Sequence, residues 1–337
     1  MNSRYARQEL FWGKDTQKQI REAHVIIIGA GALGSASAEM LARAGVGQLT
    51  IVDRDYVEWS NLHRQQLYSE ADAENKWPKA AAAKARIEQI NSDVAVESIV
   101  TDVHGLNIEQ LIQGHTLIVD AVDNFETKLI VNDAAVKLGI PFLFGACVAS
   151  YGLTFPVQPG KTPCLHCLLD QLPVDTMTCD TVGVIGPIVQ TTAAHQAAQA
   201  LRILSGEELP PILHSADIWK DEKARINVSR LKRHHCPTCG EQPAFPYLSF
   251  ENQTKTEILC GRDAVQLRPG ISASYSLERL ASGLKPKVKQ AIVNPFLISC
   301  QFDEYRVVFF KDGRAIIHGT HEPKTARAVY SRLLQHY

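Results

Sequence analysis

Apolar positions along the first half of the chain alternate between two rhythms. Val25-Ile26-Ile27-Ile28 is a β-branched run that stops at glycine, which predicts a buried strand. Residues from about Ala32 to Ala44 then read as a helix. The pattern repeats: Leu49–Val52 as strand, Lys79–Asn91 as helix around the alanine run Ala80–Ala83, and Val94–Ile99 as strand. Leu117–Val122 follows as strand, Thr127–Leu138 as helix and Pro141–Phe144 as strand. Strands alternating with helices at this spacing predict a Rossmann-like α/β fold, with a mostly parallel sheet covered by helices on both faces. Ligands of such sheets bind beyond the carboxyl ends of the strands. Pro187–Leu204 has few charges and reads as a buried helix for core or dimer packing; Gln190, His195 and Gln199 share one of its faces as a polar seam.

The texture changes after Pro243 and Pro246. The order predicted there is strand (Thr256–Cys260), strand (Ala264–Arg268), helix (Ser276–Ser282), strand (Phe296–Gln301), strand (Tyr305–Phe310), strand (Ala315–His318) and helix (Pro323–Leu334). Lys311-Asp312-Gly313-Arg314 is a hairpin-turn signal. This divides the chain into residues 1–243 and a small α+β domain at 244–337. Residues 246–337 carry 13 Lys and Arg against 8 Asp and Glu, which suits either a solvated surface or a dock for an acidic partner.

Composition narrows the classes. The 337 residues are 45% hydrophobic with a formal net charge of -1, as expected of a globular, ordered protein rather than a nucleic-acid binder. No apolar run approaches the ~18 residues of a membrane span, and no signal peptide is visible after Met1, so the expected place of action is the cytoplasm, with no nucleic acid or membrane partner.

Candidate chemistry starts at Gly29-Ala30-Gly31-Ala32-Leu33-Gly34, which follows a strand and opens a helix. Glycines there let backbone approach phosphates, and the helix N-terminus offers free N–H groups. Asp53, at the end of the next strand, is placed to accept from ribose hydroxyls. The motif alone suits NAD or FAD as well as ATP. Ser60-Asn61-Leu62-His63-Arg64-Gln65 and Pro78-Lys79 then add cations, as a triphosphate requires and a nicotinamide does not. A P-loop is excluded, because Phe155 stands where the leading glycine before Gly160-Lys161-Thr162 should be. Asp120 and Asp123 close a strand at its carboxyl end, where a carboxylate can hold Mg²⁺ against phosphate oxygens; Asp123-Asn124 can equally cap the following helix.

The cysteines form two knuckle-spaced pairs, Cys164/Cys167 and Cys236/Cys239. Four thiolates would close a tetrahedral structural Zn²⁺ site tying two distant segments together. A thioredoxin-like redox pair is the competing reading; His166, His234 and His235 are candidate substitute ligands, but with four cysteines available they read better as ordinary polar residues. Cys179 lies in a polar stretch and is a candidate nucleophile, although the neighbouring acids do not predict activation. Cys147, Cys260 and Cys300 read as core.

The run Arg4-Tyr5-Ala6-Arg7-Gln8, the glycine turn, Asp53, Ser60–Gln65, Lys79, Asp123-Asn124, the two cysteine pairs and Thr178-Cys179 together resemble the ThiF/MoeB/HesA family, bacterial relatives of the ubiquitin-activating enzymes. The resemblance covers about residues 4 to 240. It implies ATP- and Mg²⁺-dependent adenylation of the C-terminal carboxylate of a small ubiquitin-like sulfur carrier ending in Gly-Gly, for thiamine thiazole or molybdopterin biosynthesis. It further implies that Gly29, Gly31 and Gly34 line the nucleotide, that Asp53 holds the ribose, and that Asn61, Arg64 and Lys79 engage the phosphates. Asp123, with Asn124 beside it, would work with Mg²⁺, and zinc would sit on the four paired cysteines. Arg7 would be lent to the partner's site of a homodimer, and Cys179 would be the crossover-loop cysteine. The competing functions are an NAD(P)-dependent oxidoreductase on the same glycine turn and a non-catalytic, zinc-containing interaction protein.

Overall fold

A computed structural model of the chain describes residues 3–169, 182–249, 256–259, 263–268, 275–284, 288 and 291–334. It divides into two compact units, Met1–Ala73 with Pro78–Gln253, and Glu74–Trp77 with Thr254–Tyr337.

The first unit is built on strands β1 (His24–Ile28), β2 (Gln48–Asp53), β3 (Ala95–Val100), β4 (Leu117–Asp120), β5 (Phe142–Val148), β6 (Tyr151–Val157), β7 (Ile212–Asp217) and β8 (Glu222–Asn227). They form one sheet in the order β3-β2-β1-β4-β5-β6-β7-β8. Pairings from β3 to β5 are parallel and those from β5 to β8 antiparallel. Its helices among the described residues are α1 (Ala6–Trp12), α2 (Lys14–Glu22), α3 (Ala32–Ala44), α4 (Glu70–Glu74), α5 (Lys79–Ile90), α6 (Ile108–Ile112), α7 (Phe125–Leu138), α8 (Leu165–Leu169) and α9 (Gly186–Leu204).

The strand period puts alternate residues on opposite faces. Val25 and Ile27 of β1 pack with Leu49, Ile51 and Leu41, while Ile26 and Ile28 pack with Ile118, Val131 and Phe142. Both faces of β1 are therefore core, which is why the sequence shows an unbroken apolar run there.

Strand order reverses between β1 and β4, and this is the switch point where a ligand crevice opens. β4 ends at Asp120, two residues earlier than its apolar run suggests. The last bond to β1 is Ala121 N–H to the Ile28 carbonyl; beyond it β1 turns away and Gly29 N–H donates to Val52 instead. From Val122 on the ladder to β1 is lost, and Val122 N–H donates to the Asp120 side chain instead. Similarly, α7 starts at Phe125, because the Asn124 side chain accepts from Thr127 N–H at 2.8 Å and caps it.

The second unit holds the antiparallel sheet β11-β12-β13-β14-β10-β9, from strands β9 (Thr256–Leu259), β10 (Ala264–Leu267), β11 (Ala291–Val293), β12 (Leu297–Phe302), β13 (Tyr305–Phe310) and β14 (Ala315–His318). Helices α10 (Leu277–Leu284) and α11 (Pro323–Leu334) pack Leu280, Leu284, Val329 and Leu333 against Val265, Ile298, Val307 and Ile317 of one sheet face. Gly313 N–H donates to Phe310 in the turn between β13 and β14. Among the described residues no helix is long and apolar enough to cross a membrane.

Candidate active site and metal centre

The glycine turn sits at the carboxyl end of β1. Gly29 has φ 92°, and a Cβ there would lie 2.6 Å from the Ala121 carbonyl oxygen. A Cβ on Gly34 would lie 1.8 Å from the Gly29 oxygen, so α3 is packed directly onto the turn. Gly31 differs. A Cβ there would meet only the Gln65 amide nitrogen, at 3.9 Å. Gln65 is itself buried, and its Oε1 has no hydrogen-bond partner among the described residues. Open backbone N–H at a helix N-terminus beside the Gln65 amide nitrogen, itself a donor, fits a phosphate oxygen, while the orphaned Oε1 calls for a donor such as a hydroxyl or water.

Asp53 stands over this turn. One carboxylate oxygen accepts from Ala30 N–H and the other from Asp55 N–H, both at 2.6 Å. Burial pushes its pKa up, and the Lys79 ammonium opposes that shift. Lys79 opens α5 and is buried at 3% exposure, with Nζ 3.3 Å from Asp55. A lysine that deeply placed needs anionic partners. Asn61 is buried too, and its side-chain oxygen accepts from Glu58 N–H at 3.2 Å. Arg64, on the same segment, donates to the Ser60 carbonyl at 2.7 Å and lies beside His63. The N-terminus of α9 also comes here: a Cβ on Gly186 would lie 3.2 Å from the His63 oxygen.

The two aspartates at the carboxyl end of β4 part company. Asp120 is wholly buried and bonded to Lys128 of α7 at 2.8 Å, and Lys128 also donates to the Gly145 carbonyl at 2.7 Å. The second Asp120 oxygen accepts from Val122 N–H. Burial pushes the Asp120 pKa up and Lys128 draws it down. Both Asp120 oxygens are thus engaged inside the core, one by Lys128 and one by Val122 N–H. Asp123 is exposed, and Asn124 donates to it at 3.4 Å while capping α7. Lys128 escaped sequence reading because nothing local marks a buried lysine. In the polar seam of α9, the residue that matters is Gln196, not those singled out: its amide donates to the carbonyls of Asp120 and Leu143.

Arg7 is not brought to this group within the chain. It is exposed on α1, next to Gln8, which donates to the Ala44 carbonyl at the C-terminal end of α3. The glycine turn is at the other end of that 13-residue helix, about 20 Å away. Cys179 and Cys260 lie outside the described residues. Cys300 is buried, whereas Cys147 is only half-buried, its thiol facing the Ile188 carbonyl.

The four knuckle cysteines converge. Their Sγ atoms all lie within 4.8 Å of one another, with Cys164–Cys236 and Cys167–Cys239 at 3.6 Å and Cys164–Cys167 at 4.0 Å. Zinc–sulfur bonds of about 2.3 Å in a tetrahedron require sulfur–sulfur edges of about 3.8 Å. The donor set and spacing therefore fit a closed zinc site, and none of His166, His234 or His235 belongs to the cluster.

The sequence profile of the ThiF family matches residues 5–238. The chain belongs to the ThiF family. A Bacillus subtilis relative within it, named sulfur carrier protein ThiS adenylyltransferase, is 56% identical over 334 residues, covering 98% of this chain and 99% of that one. That likeness runs through the C-terminal unit. A Thermus thermophilus sulfur carrier protein adenylyltransferase is 36% identical over 251 residues, covering 71% of this chain and 91% of its own length. In fold, the chain is similar to the solved structure of E. coli MccB with ATP, with a TM-score of 0.62 at 22% identity, covering 71% of this chain and 75% of that one.

Proposed function

We propose that this chain is an ATP-dependent adenylyltransferase that activates the C-terminal Gly-Gly carboxylate of a ubiquitin-like sulfur carrier of ThiS type. The observation that carries the reading is 56% identity along 98% of the chain to a protein of that name, in a chain whose glycine turn is bonded to Asp53, with Lys79 on the neighbouring Asp55.

The chemistry follows from charge. A carboxylate is a poor electrophile until one of its oxygens sits on a good leaving group. Its oxygen attacks the α-phosphorus of ATP, pyrophosphate departs, and the acyl-adenylate is left. Carboxylate and triphosphate repel each other, so the enzyme's task is to position them and neutralise charge. Gly29, Gly31 and Gly34 leave the backbone free to receive phosphate, and Asp53 accepts from the ribose hydroxyls. Asn61, Arg64 and Lys79 meet the phosphate oxygens. Asp123, exposed at the mouth, is the carboxylate that would hold Mg²⁺, which when bound shields the phosphate charge. Asn124 fixes the helix start beside it. Zinc on Cys164, Cys167, Cys236 and Cys239 is structural.

Arg7 acts in trans. Its helix has no buried residue, and Leu10 and Phe11, at 84% and 85% exposure, share its face at helical spacing. A second copy of the chain would cover them and receive Arg7, giving a homodimer. Cys179 is proposed as the crossover-loop thiol that can bond the carrier, and the C-terminal unit as a dock for it; loss of residues 246–337 would then weaken carrier affinity. The site of action is the cytoplasm.

The test is exchange of labelled pyrophosphate into ATP. It should require a Gly-Gly-ended carrier and vanish in folded Arg64→Ala and Asp123→Ala proteins. Following adenylate mass on ThiS-type and MoaD-type carriers separates thiazole from molybdopterin service. NADH binding without ATP binding would sink the reading.

A further inference from the structure

Ala30, at the centre of the glycine turn, is held from both sides. Its N–H donates to the Asp53 carboxylate at 2.6 Å, and its carbonyl accepts from the Tyr68 hydroxyl at 2.5 Å. Tyr68 comes from the loop after Gln65 and is 8% exposed. Peptide units are planar. Fixing the Ala30 N–H fixes the unit joining Gly29 to Ala30. Fixing the Ala30 carbonyl fixes the next unit, and with it the direction of the Gly31 N–H, which points opposite to that carbonyl. Both units have a glycine on one side, so neither is held by side-chain sterics alone. Gly31 is also the one glycine of the turn with open space around it, and it caps α3 with no side-chain bond of its own.

We propose that Tyr68 is a positioning residue of the nucleotide site: its hydroxyl aims the Gly31 N–H at the phosphates. The assignment rests on the ATP reading given above. Burial and the nearby Asp53 and Asp72 carboxylates raise the phenol pKa well above its ordinary value, so the hydroxyl remains a donor across the working pH range.

The experiment is titration of the full-length protein and of Tyr68→Phe with ATP and with adenosine, which has no phosphate. Losing one aimed donor to a charged oxygen should weaken ATP about tenfold and leave adenosine unchanged. In pyrophosphate exchange KM for ATP should rise by a similar factor, with kcat at saturating ATP within about twofold of the unsubstituted chain. Should Tyr68→Phe fail to show a cooperative urea transition, Tyr68→Leu, which likewise has no hydrogen-bond donor, carries the same expectation. Equal weakening of both ligands would mean a merely structural role and overturn the proposal. So would unchanged ATP binding by the variant beside an unsubstituted chain that binds ATP. An unsubstituted chain that does not bind ATP overturns the functional reading itself.

Discussion

The Thr238 hydroxyl donates to the Asp133 carboxylate across 2.6 Å and so ties the second cysteine pair to the middle of α7. The other Asp133 oxygen accepts from Tyr247 N–H at 2.9 Å, and Asn132 accepts from Leu165 N–H, inside the first pair, at 2.8 Å. Two neighbouring residues of one helix thus grip both cysteine pairs. The opposite end of that helix carries Lys128 and the Asn124 cap.

Removing this grip should loosen the metal. Asp133→Ala removes the acceptor of the buried Thr238 hydroxyl, which costs about 1–3 kcal/mol. Release of zinc to a chromophoric chelator should be faster than from the unsubstituted protein, and the urea midpoint lower. Asp133→Asn keeps acceptor capacity and should fall between. Equal release rates in all three would show that the cysteines hold their geometry without help from α7.

Removing the partner of Asp120 and removing Asp123 itself should have opposite consequences. Lys128→Ala strands a buried Asp120 carboxylate and should destabilise by about 3–5 kcal/mol. Asp123→Ala removes an exposed group and should change stability by less than about 0.5 kcal/mol. Pyrophosphate exchange should nevertheless vanish in Asp123→Ala. Urea unfolding and exchange measured on the same preparations decide between the two roles.

That contrast marks where sequence reading stops. The βα order and the glycine turn were legible because they are local: β1 shows its burial on both faces as an unbroken apolar run, and α3 follows the turn directly. Asp120 and Asp123 are the same residue type three positions apart, and only partners from elsewhere in the chain separate them: Lys128 for one, solvent for the other. β8 left no periodic signal because all six of its residues are exposed. Thr238 and Tyr68 look like ordinary polar fillers until the fold brings Asp133 and Ala30 against them.

A pH dependence is built in away from the crevice. His24 and His115 lie against each other with ring centroids 3.9 Å apart and planes inclined by 46°, and both face the Thr50 hydroxyl, at 2.9 and 3.0 Å. Burial lowers both pKa values from 6.5; His24 lowers that of His115 further, and Glu97 partly opposes both shifts. The neutral rings are the stable form. Their contribution is full above the unfolded value of 6.5 and is lost as pH falls through the lower folded values. The urea midpoint should be flat above about pH 7 and fall below about pH 6. In His115→Gln that fall should be shallower; an identical slope would assign the acid sensitivity to other groups.

The proposed lending of Arg7 to a second copy makes a stoichiometric prediction. Arg7→Ala and Asp123→Ala should each abolish exchange, the first by emptying the partner's site and the second by disabling its own. In a heterodimer of the two, one pocket keeps Asp123 and receives Arg7 from the other chain, while the second pocket lacks both. Random assortment of equal amounts makes half the dimers mixed, so mixing should restore about a quarter of the unsubstituted activity. If Arg7 served its own chain, the mixture would stay inactive. Phe11→Asp should uncouple the dimer, because a carboxylate cannot be buried in an apolar contact without a large penalty. Light scattering should then report monomers, and exchange should fall with Arg7 and Asp123 both still present. Dimers that persist with Phe11→Asp would place the interface elsewhere than on α1.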